Sequence, residues 1–274
     1  MWNSPYNLII ERQNGERYDL YDKGIVTKLF QIESPSPRHV REELDGMDGF
    51  LEGETLYEGR SMRGEFFMVA KDTFDRARNE IFRLFSSREA FFITKMSEPY
   101  KRWSVKTDSP YVINQRAVMG DFSIEFTSAS PFAQSPGTTL NWPEMEHYYG
   151  IGEGKIDAFD PPIQYEFNTS SFFVFNDSDE TVDPRSMELR IKLQGTLNNP
   201  IIKNVTTNDE WQWSGSASAE EVILLDGIQS LKNGQSIFNN TNKKLISLAP
   251  GWNEFSITGA ADFLISFDFR FYYL

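Results

Sequence analysis

Two histidines, no cysteine and forty carboxylates bound the chemistry that this 274-residue chain can attempt. His39 and His147 stand far apart in loop-like stretches, so neither an HExxH helix nor a paired-histidine metal site is available. The lack of cysteine excludes a disulfide framework, a thiolate metal site and a cysteine nucleophile. Asp157, Asp160, Glu166 and Glu188 supply carboxylates without any spacing that reads as the two-carboxylate geometry of a glycosidase. Gly59-Arg-Ser-Met-Arg-Gly64 has one residue too many for a nucleophile elbow and no strand-to-helix context. Gly150-Ile-Gly-Glu-Gly-Lys155 resembles a phosphate loop, but Tyr149 stands where the first glycine is required and Ile156 replaces the Ser or Thr, which leaves a flexible hinge. Asp177, Asp179, Thr181, Asp183 and Glu188 approximate calcium-loop offsets. There Val182 takes the place of the obligatory glycine and Pro184 interrupts the run, and a solvated turn accounts for the same acids. The expectation is a protein with no catalytic residue, no metal and no cofactor.

Aromatic residues offer a binding alternative. Trp211, Trp213 and Trp252, with Tyr148 and Tyr149, are candidate sugar-stacking residues, because a flat ring covers the apolar face of a pyranose. The plainer reading is that Trp211 and Trp213 share one strand register as core or subunit contacts, and that Trp252 plugs the core after a Pro-Gly turn.

The elements that would position these groups are mostly strands. Aromatic content is 15%, with 23 Phe, and apolar residues fall in short runs broken by Gly, Pro, Asn and Asp. The length suits two domains of about 130 residues each. A formal net charge of −13 argues against a sequence-independent nucleic-acid binder, though not against a protein that DNA merely passes. The opening MWNSPYNLIIERQNGERYDL has no signal-peptide pattern and no apolar run approaches membrane-spanning length, so cytoplasmic synthesis without membrane insertion is expected.

Leu8 and Ile10 before Asn14-Gly15, with Tyr18 and Leu20 after it, predict a hairpin with a type I′ turn. From Ser34 to Gly64 the chain reads as a long exposed loop rich in Ser-Pro, Asp-Gly and Gly. A strand at Glu65 to Ala70 precedes one helix, DTFDRARNEIFRLFSS, with Asp72 as N-cap and Phe74, Ala77, Ile81, Phe82 and Phe85 on one face. Strands follow at Phe91 to Lys95, Lys101 to Lys106 and Asp121 to Thr127. The predicted organisation is a first domain over 1–135, a connecting segment over 136–162 and a second domain over 163–274. The second domain has strands at Gln164 to Phe167, Phe172 to Asn176, Ser186 to Gln194, Ile201 to Thr207, Glu221 to Asp226, Lys244 to Leu248, Asn253 to Thr258 and Phe263 to Leu274. The last of these puts Phe263, Ile265, Phe267, Phe269, Phe271 and Tyr273 on one register, so the chain ends inside a sheet.

Taken together, these marks resemble the distal tail protein family of long-tailed phages with flexible tails, the siphovirus tail-component family. In the first half the resemblance rests on Asp45-Gly-Met-Asp-Gly49, Arg60 in YEGRS, the lone amphipathic helix and FSIEFTSASPFAQS at 122–135. In the second half it rests on FFVFND at 172–177, the Asp183-Pro184 turn, PIIKNVTTND at 200–209, APGWNEFSITG at 249–259 and the FRFYYL ending. The order and spacing across both halves carry the assignment.

The resemblance implies a mainly β protein: an N-terminal β-sandwich or barrel-like domain with one packed helix, then a C-terminal galectin-like, jelly-roll-like sandwich. It implies a non-enzymatic virion protein at the tail tip or baseplate, made in the host bacterial cytoplasm and active in host attachment. Six copies would form a ring that joins the tail tube protein to a tail-associated lysin or tail fibre protein and leaves a channel for DNA in transit. The outer domains would hold receptor-binding proteins, but the second half leaves no room for an inserted binding module, which favours a connector. A closed ring needs two different complementary patches on each subunit. Segment 34–64 is a candidate for one of them, through Arg38, Arg41, Asp45, Gly46, Gly49 and Arg60. The alternative function is a carbohydrate-binding adhesin for host cell-wall glycans, using Trp211, Trp213 and Trp252.

Overall fold

Leu8 and Ile10 alternate with Ile9 and Glu11. In a computed structural model that describes residues 6–46, 48–141 and 160–274, these four form β1 (Leu8–Glu11), paired with β2 (Arg17–Asp19) in the register Ile10↔Tyr18. The reversal between them is not the expected type I′ turn. Only Gly15 adopts positive φ, +84°, and the loop closes through Arg12 N–H to Glu16 O (2.8 Å) and Gly15 N–H to Arg12 O (2.9 Å). The Asn14 side chain instead accepts from the Glu16 N–H at 3.1 Å, so a longer loop is stabilised locally.

The protein is mainly β, and the chain divides into two compact units, Met1–Ala133 with Leu274, and Gln134–Tyr273. The first unit continues with β3 (Ile25–Ile32), β4 (Pro37–Glu42), β5 (Leu51–Tyr57), β6 (Arg60–Val69) and α1 (Phe74–Leu84). It is completed by β7 (Phe91–Lys95), β8 (Arg102–Thr107), β9 (Asn114–Arg116) and β10 (Met119–Ser128). Its main antiparallel sheet runs β2-β1-β7-β8-β10-β6-β3. Pairing Phe122↔Phe66 and Phe126↔Met62 sends alternate residues of β6 and β10 inward. Phe85, at the end of α1, closes this core with its ring centroid 5.7 Å from Phe66, 6.2 Å from Phe91 and 5.8 Å from Phe126. Burying one such ring is worth about 1.5–3 kcal/mol.

Two details of the helix differ from expectation. Thr73 occupies the N-cap position without a side-chain cap bond, while Asp72 pairs with Arg76 one turn on at 2.9 Å. Phe82 is exposed, edge-on to Tyr111 at 5.6 Å, because the buried face follows Phe74, Ile81 and Phe85 and ends one residue short of it.

The second unit is organised by two long strands. After β11 (Ala133–Gln134) come β12 (Glu166–Phe167), β13 (Ser171–Asn176), β14 (Leu189–Asn204), β15 (Asp209–Gln212), β16 (Ser216–Ala217), β17 (Val222–Asp226), β18 (Gln229–Lys232), β19 (Gln235–Ser236), β20 (Gly251–Phe269) and β21 (Tyr272–Tyr273). Four of the expected strands are thus fused into two, β14 and β20, and Lys244 to Leu248 forms no ladder beyond a bridge from Leu248 to Val182. The β14–β20 ladder is interrupted twice, after Gln194 and after Leu197. Gly259 takes φ +72° at the second break, where a Cβ would strike the Asn198 and Asn199 carbonyl oxygens. On one side of the breaks β14 pairs β17 and β20 pairs β12; on the other, β14 pairs β15 and β20 pairs β13. Each long strand therefore serves two sheets. Phe167 of one sheet stacks on Phe172 of the other at 4.1 Å, and Phe255 meets Phe267 across the gap at 4.8 Å, which makes the unit a sandwich. Residues 135–139, expected near the start of a connector, bond along the end of this unit, with Ser135 N–H donating to Phe271 O and Thr139 N–H to Phe269 O, both at 2.9 Å.

Candidate assembly surface

Segment 34–64, expected as loop, is instead a β-hairpin arm that runs into the sheet at β6. Strands β4 and β5 pair only with each other among the described residues, in the register Pro37↔Tyr57, Arg38↔Leu56 and His39↔Thr55, with a bulge before Arg41↔Glu52. Every residue of both strands is exposed. Because no face is buried, the period-two burial signal that marks a strand is missing, and turn-forming residues dominate the reading. Gly46 and Gly49 take φ +83° and +90° at the tip beside Asp45, so backbone geometry accounts for the choice of glycine there.

Arg38 and Arg41 lie on β4, exposed, and the Arg41 guanidinium sits 4.4 Å from the Phe50 ring centroid. His39 contacts Thr55 Oγ1 through Nδ1 at 2.9 Å. What the residue-type reading missed is apolar: Val40, Leu44, Phe50, Leu51, Leu56 and Tyr57 are each more than 40% exposed. They are spread along the arm among glycines and charged residues, which mask them in the sequence.

Arg60 does not belong with the other arm residues. It is 5% exposed at the start of β6, with Nε donating to Pro131 O at 3.0 Å, Nη1 donating to Glu33 O, and Trp103 5.2 Å beneath the guanidinium. A side chain committed to its own chain cannot reach a neighbouring subunit, which corrects its expected role as a contact.

The candidate glycan-stacking residues are corrected by the same criterion. Trp211 is 1% exposed, with Nε1 donating to Ser230 Oγ at 3.1 Å from the opposite sheet. Trp213 is 5% exposed, with the Lys232 ammonium 5.6 Å from its ring. Trp252 is half-buried and packs on Phe175 at 5.0 Å. The rings of Trp211 and Trp213 fill the core, and that of Trp252 lies at its margin. Tyr148, Tyr149, His147, the Gly150 to Lys155 run and Asp157 lie outside the described residues.

The remaining chemistry resolves into structure. Three of the acids at calcium-loop offsets face protein donors: Asp183 is held by Arg185, Glu188 by Arg270 at 3.0 Å, and Asp177 accepts from Tyr273 Oη at 3.0 Å. The Arg185 hydrogen bond is the main reason that the Asp183 pKa is lowered. No group of three or more metal-ligating side chains gathers among the described residues. Ser61 of the near-elbow lies within strand β6, paired with Thr127. A cleft of about 390 Å³ between the first hairpin and α1 has Ile25, Met68, Ile81 and Leu84 in its lining with Arg12, Glu16, Tyr18 and Glu80, and its one hydroxyl, on Tyr18, donates to Glu16 Oε2 at 2.9 Å.

Residues 8–128 match the phage tail protein RIFT-related domain family, and residues 158–267 match the phage tail C-terminal domain family. No curated protein matches the sequence. Among solved structures, the chain is similar to the Dit protein of phage SPP1, described as a paradigm of the hub adsorption apparatus in phages that infect Gram-positive bacteria. The identity is 14%, over 96% of this chain and 99% of that one, with a TM-score of 0.66. It is also similar to chains in the phage p2 baseplate in its activated conformation, with Sr (9% identity, 96% and 97% covered, TM-score 0.46) and with Ca (8% identity, 97% and 97% covered, TM-score 0.45). The chain thus carries a phage tail protein domain in each of its halves, and its fold is similar to that of a distal tail protein.

Proposed function

We propose that six copies of this protein form a closed ring at the tail tip. The ring joins the tail tube protein to the lysin or fibre protein beyond it and leaves a passage for DNA. The observation that carries this reading is the arm. A two-stranded hairpin alone is marginally stable in water, and this one carries Val40, Leu44, Phe50, Leu51, Leu56 and Tyr57 in the open. In a ring each copy offers its arm to the next, so the contact repeats until it closes. Arg38, Arg41 and Asp45 then act at the rim of the contact, while Gly46 and Gly49 shape the tip. The second unit acts as an outward, galectin-like connector to the receptor-binding apparatus, without enzymatic activity. The hub described for the SPP1 protein supports the same reading by similarity of fold.

The test is mass by light scattering over a wide concentration range, followed by negative-stain imaging of the largest species. A six-subunit ring with an open centre is the expected result. A strict monomer at high concentration, with no ring after tail tube protein is added, overturns the proposal.

A further inference from the structure

The first unit buries two arginines in opposite ways. Arg102, 6% exposed, meets the Glu11 carboxylate at 2.8 Å. Arg60 has no acidic partner among the described residues: its guanidinium meets two backbone carbonyls and the face of Trp103. Burial accordingly lowers its pKa. Holding a cation out of water on carbonyl dipoles and a ring alone costs more than placing an apolar side chain of the same volume there. Packing therefore does not explain an arginine at this position.

The three segments that the guanidinium joins do explain it. Glu33 directly follows β3, where the chain leaves the sheet for the arm; Arg60 opens β6, where it returns; Pro131 lies just beyond β10. A planar fork with several fixed N–H directions reaches two carbonyls at once, which the single ammonium of lysine cannot do in the same geometry. Neighbouring bonds tighten the same junction: Glu33 N–H donates to Ser61 O at 3.1 Å and Glu58 N–H to Ser36 O at 3.0 Å. A Cβ on Gly59 would collide with the Ser128 carbonyl oxygen, so the return strand lies directly against the end of β10.

We infer that Arg60 is the positioning residue of the arm: its fork on the Glu33 and Pro131 carbonyls sets the direction in which Pro37–Tyr57 leaves the sheet. The purpose of a fixed direction rests on the proposed ring contact, since a ring closes only at one angle between copies. The pin itself rests on geometry within one chain.

The absence of native cysteine permits selective labelling of Glu54→Cys on the arm and Glu125→Cys on β10. Double electron–electron resonance on the full chain, diluted to monomer, then reads the arm-to-sheet distance distribution with Arg60, Arg60→Lys and Arg60→Met. Near-UV circular dichroism and thermal unfolding follow the body in parallel. The expected result is a narrow distribution with Arg60 and one at least about twofold broader in both variants, measured below their unfolding transitions. A merely structural role would lower the transition without broadening the arm distance, and an unchanged width in the Lys variant overturns the inference even where the Met variant fails to fold. The two readings fail separately: a broadened arm with undiminished ring formation leaves the pin standing and removes the arm from the ring contact.

Discussion

Two of the antiparallel hairpins in the first unit, β1–β2 and β4–β5, have opposite surroundings. In β1–β2, Leu8 and Ile10 are wholly buried and β1 is also paired with β7; in β4–β5, every strand residue is exposed and neither strand has a third partner among the described residues. Ladder hydrogen bonds exchange for bonds to water at small net gain, so they do not distinguish the two. Side-chain burial does. The first hairpin draws its stability from the unit that contains it, whereas the arm's apolar side chains stand exposed and draw none from it.

The comparison can be broken at several strengths. Ile10→Ala should destabilise the first unit by about 2–5 kcal/mol, because it removes a fully buried side chain and leaves a cavity; thermal unfolding reads this directly, and a change below about 0.5 kcal/mol would deny the first hairpin its core role. A matched pair of glycines gives the next effect. Gly15 and Gly46 have nearly equal φ, +84° and +83°, and neither has a heavy atom within 4 Å of an added Cβ. Gly15→Ala should cost the unit about 1–2 kcal/mol through the left-handed backbone alone, while Gly46→Ala should leave the unit's transition in place and act only on the arm tip.

Leu56→Ala should change monomer stability by less than about 0.5 kcal/mol, as an exposed position does, and yet prevent ring formation in light scattering. A variant that forms rings normally would show that the arm's apolar surface is not the contact. The smallest effect belongs to the sheet surface that neither hairpin uses. Lys28 donates to Asp121 at 2.6 Å and is the main cause of its lowered carboxyl pKa. A lowered pKa stabilises fully above the unfolded value of about 3.9, and that stabilisation is lost as pH falls through the folded value. Asp121→Asn should therefore slightly lower the unfolding temperature at pH 7 and shrink its drop below about pH 4, with no difference in slope between pH 5 and 7.

Much of the fold was legible because alternation is a local property. Phe122, Ile124 and Phe126, or Phe263 through Phe269, declare a buried face wherever the chain places them. The arm was not legible as strands, because a hairpin without a covered face has no alternation to read. The fusion of strands into β14 and β20 was hidden by Gly195 and Gly259, which look like turn residues but here bend continuous strands at bulges. Of the candidate contact residues, Arg38, Arg41, Asp45, Gly46 and Gly49 do share the arm, and Arg60 does not. Residue type marked all of them as surface, and only the chain's path past Glu33 and Pro131 put one of them inside.

The sequence by itself determined that this is a two-part, mainly β protein with no cysteine and only two histidines. Those conclusions follow from residue type and short-range period, which need no knowledge of distant contacts. The tertiary structure decided which faces are covered: that Trp211 and Trp213 are core, that Arg60 holds the base of the arm, and that the arm's apolar residues stand in solvent. Burial depends on which remote strands meet, such as β15 against β18 through Trp211 and Ser230, and no local pattern specifies that meeting.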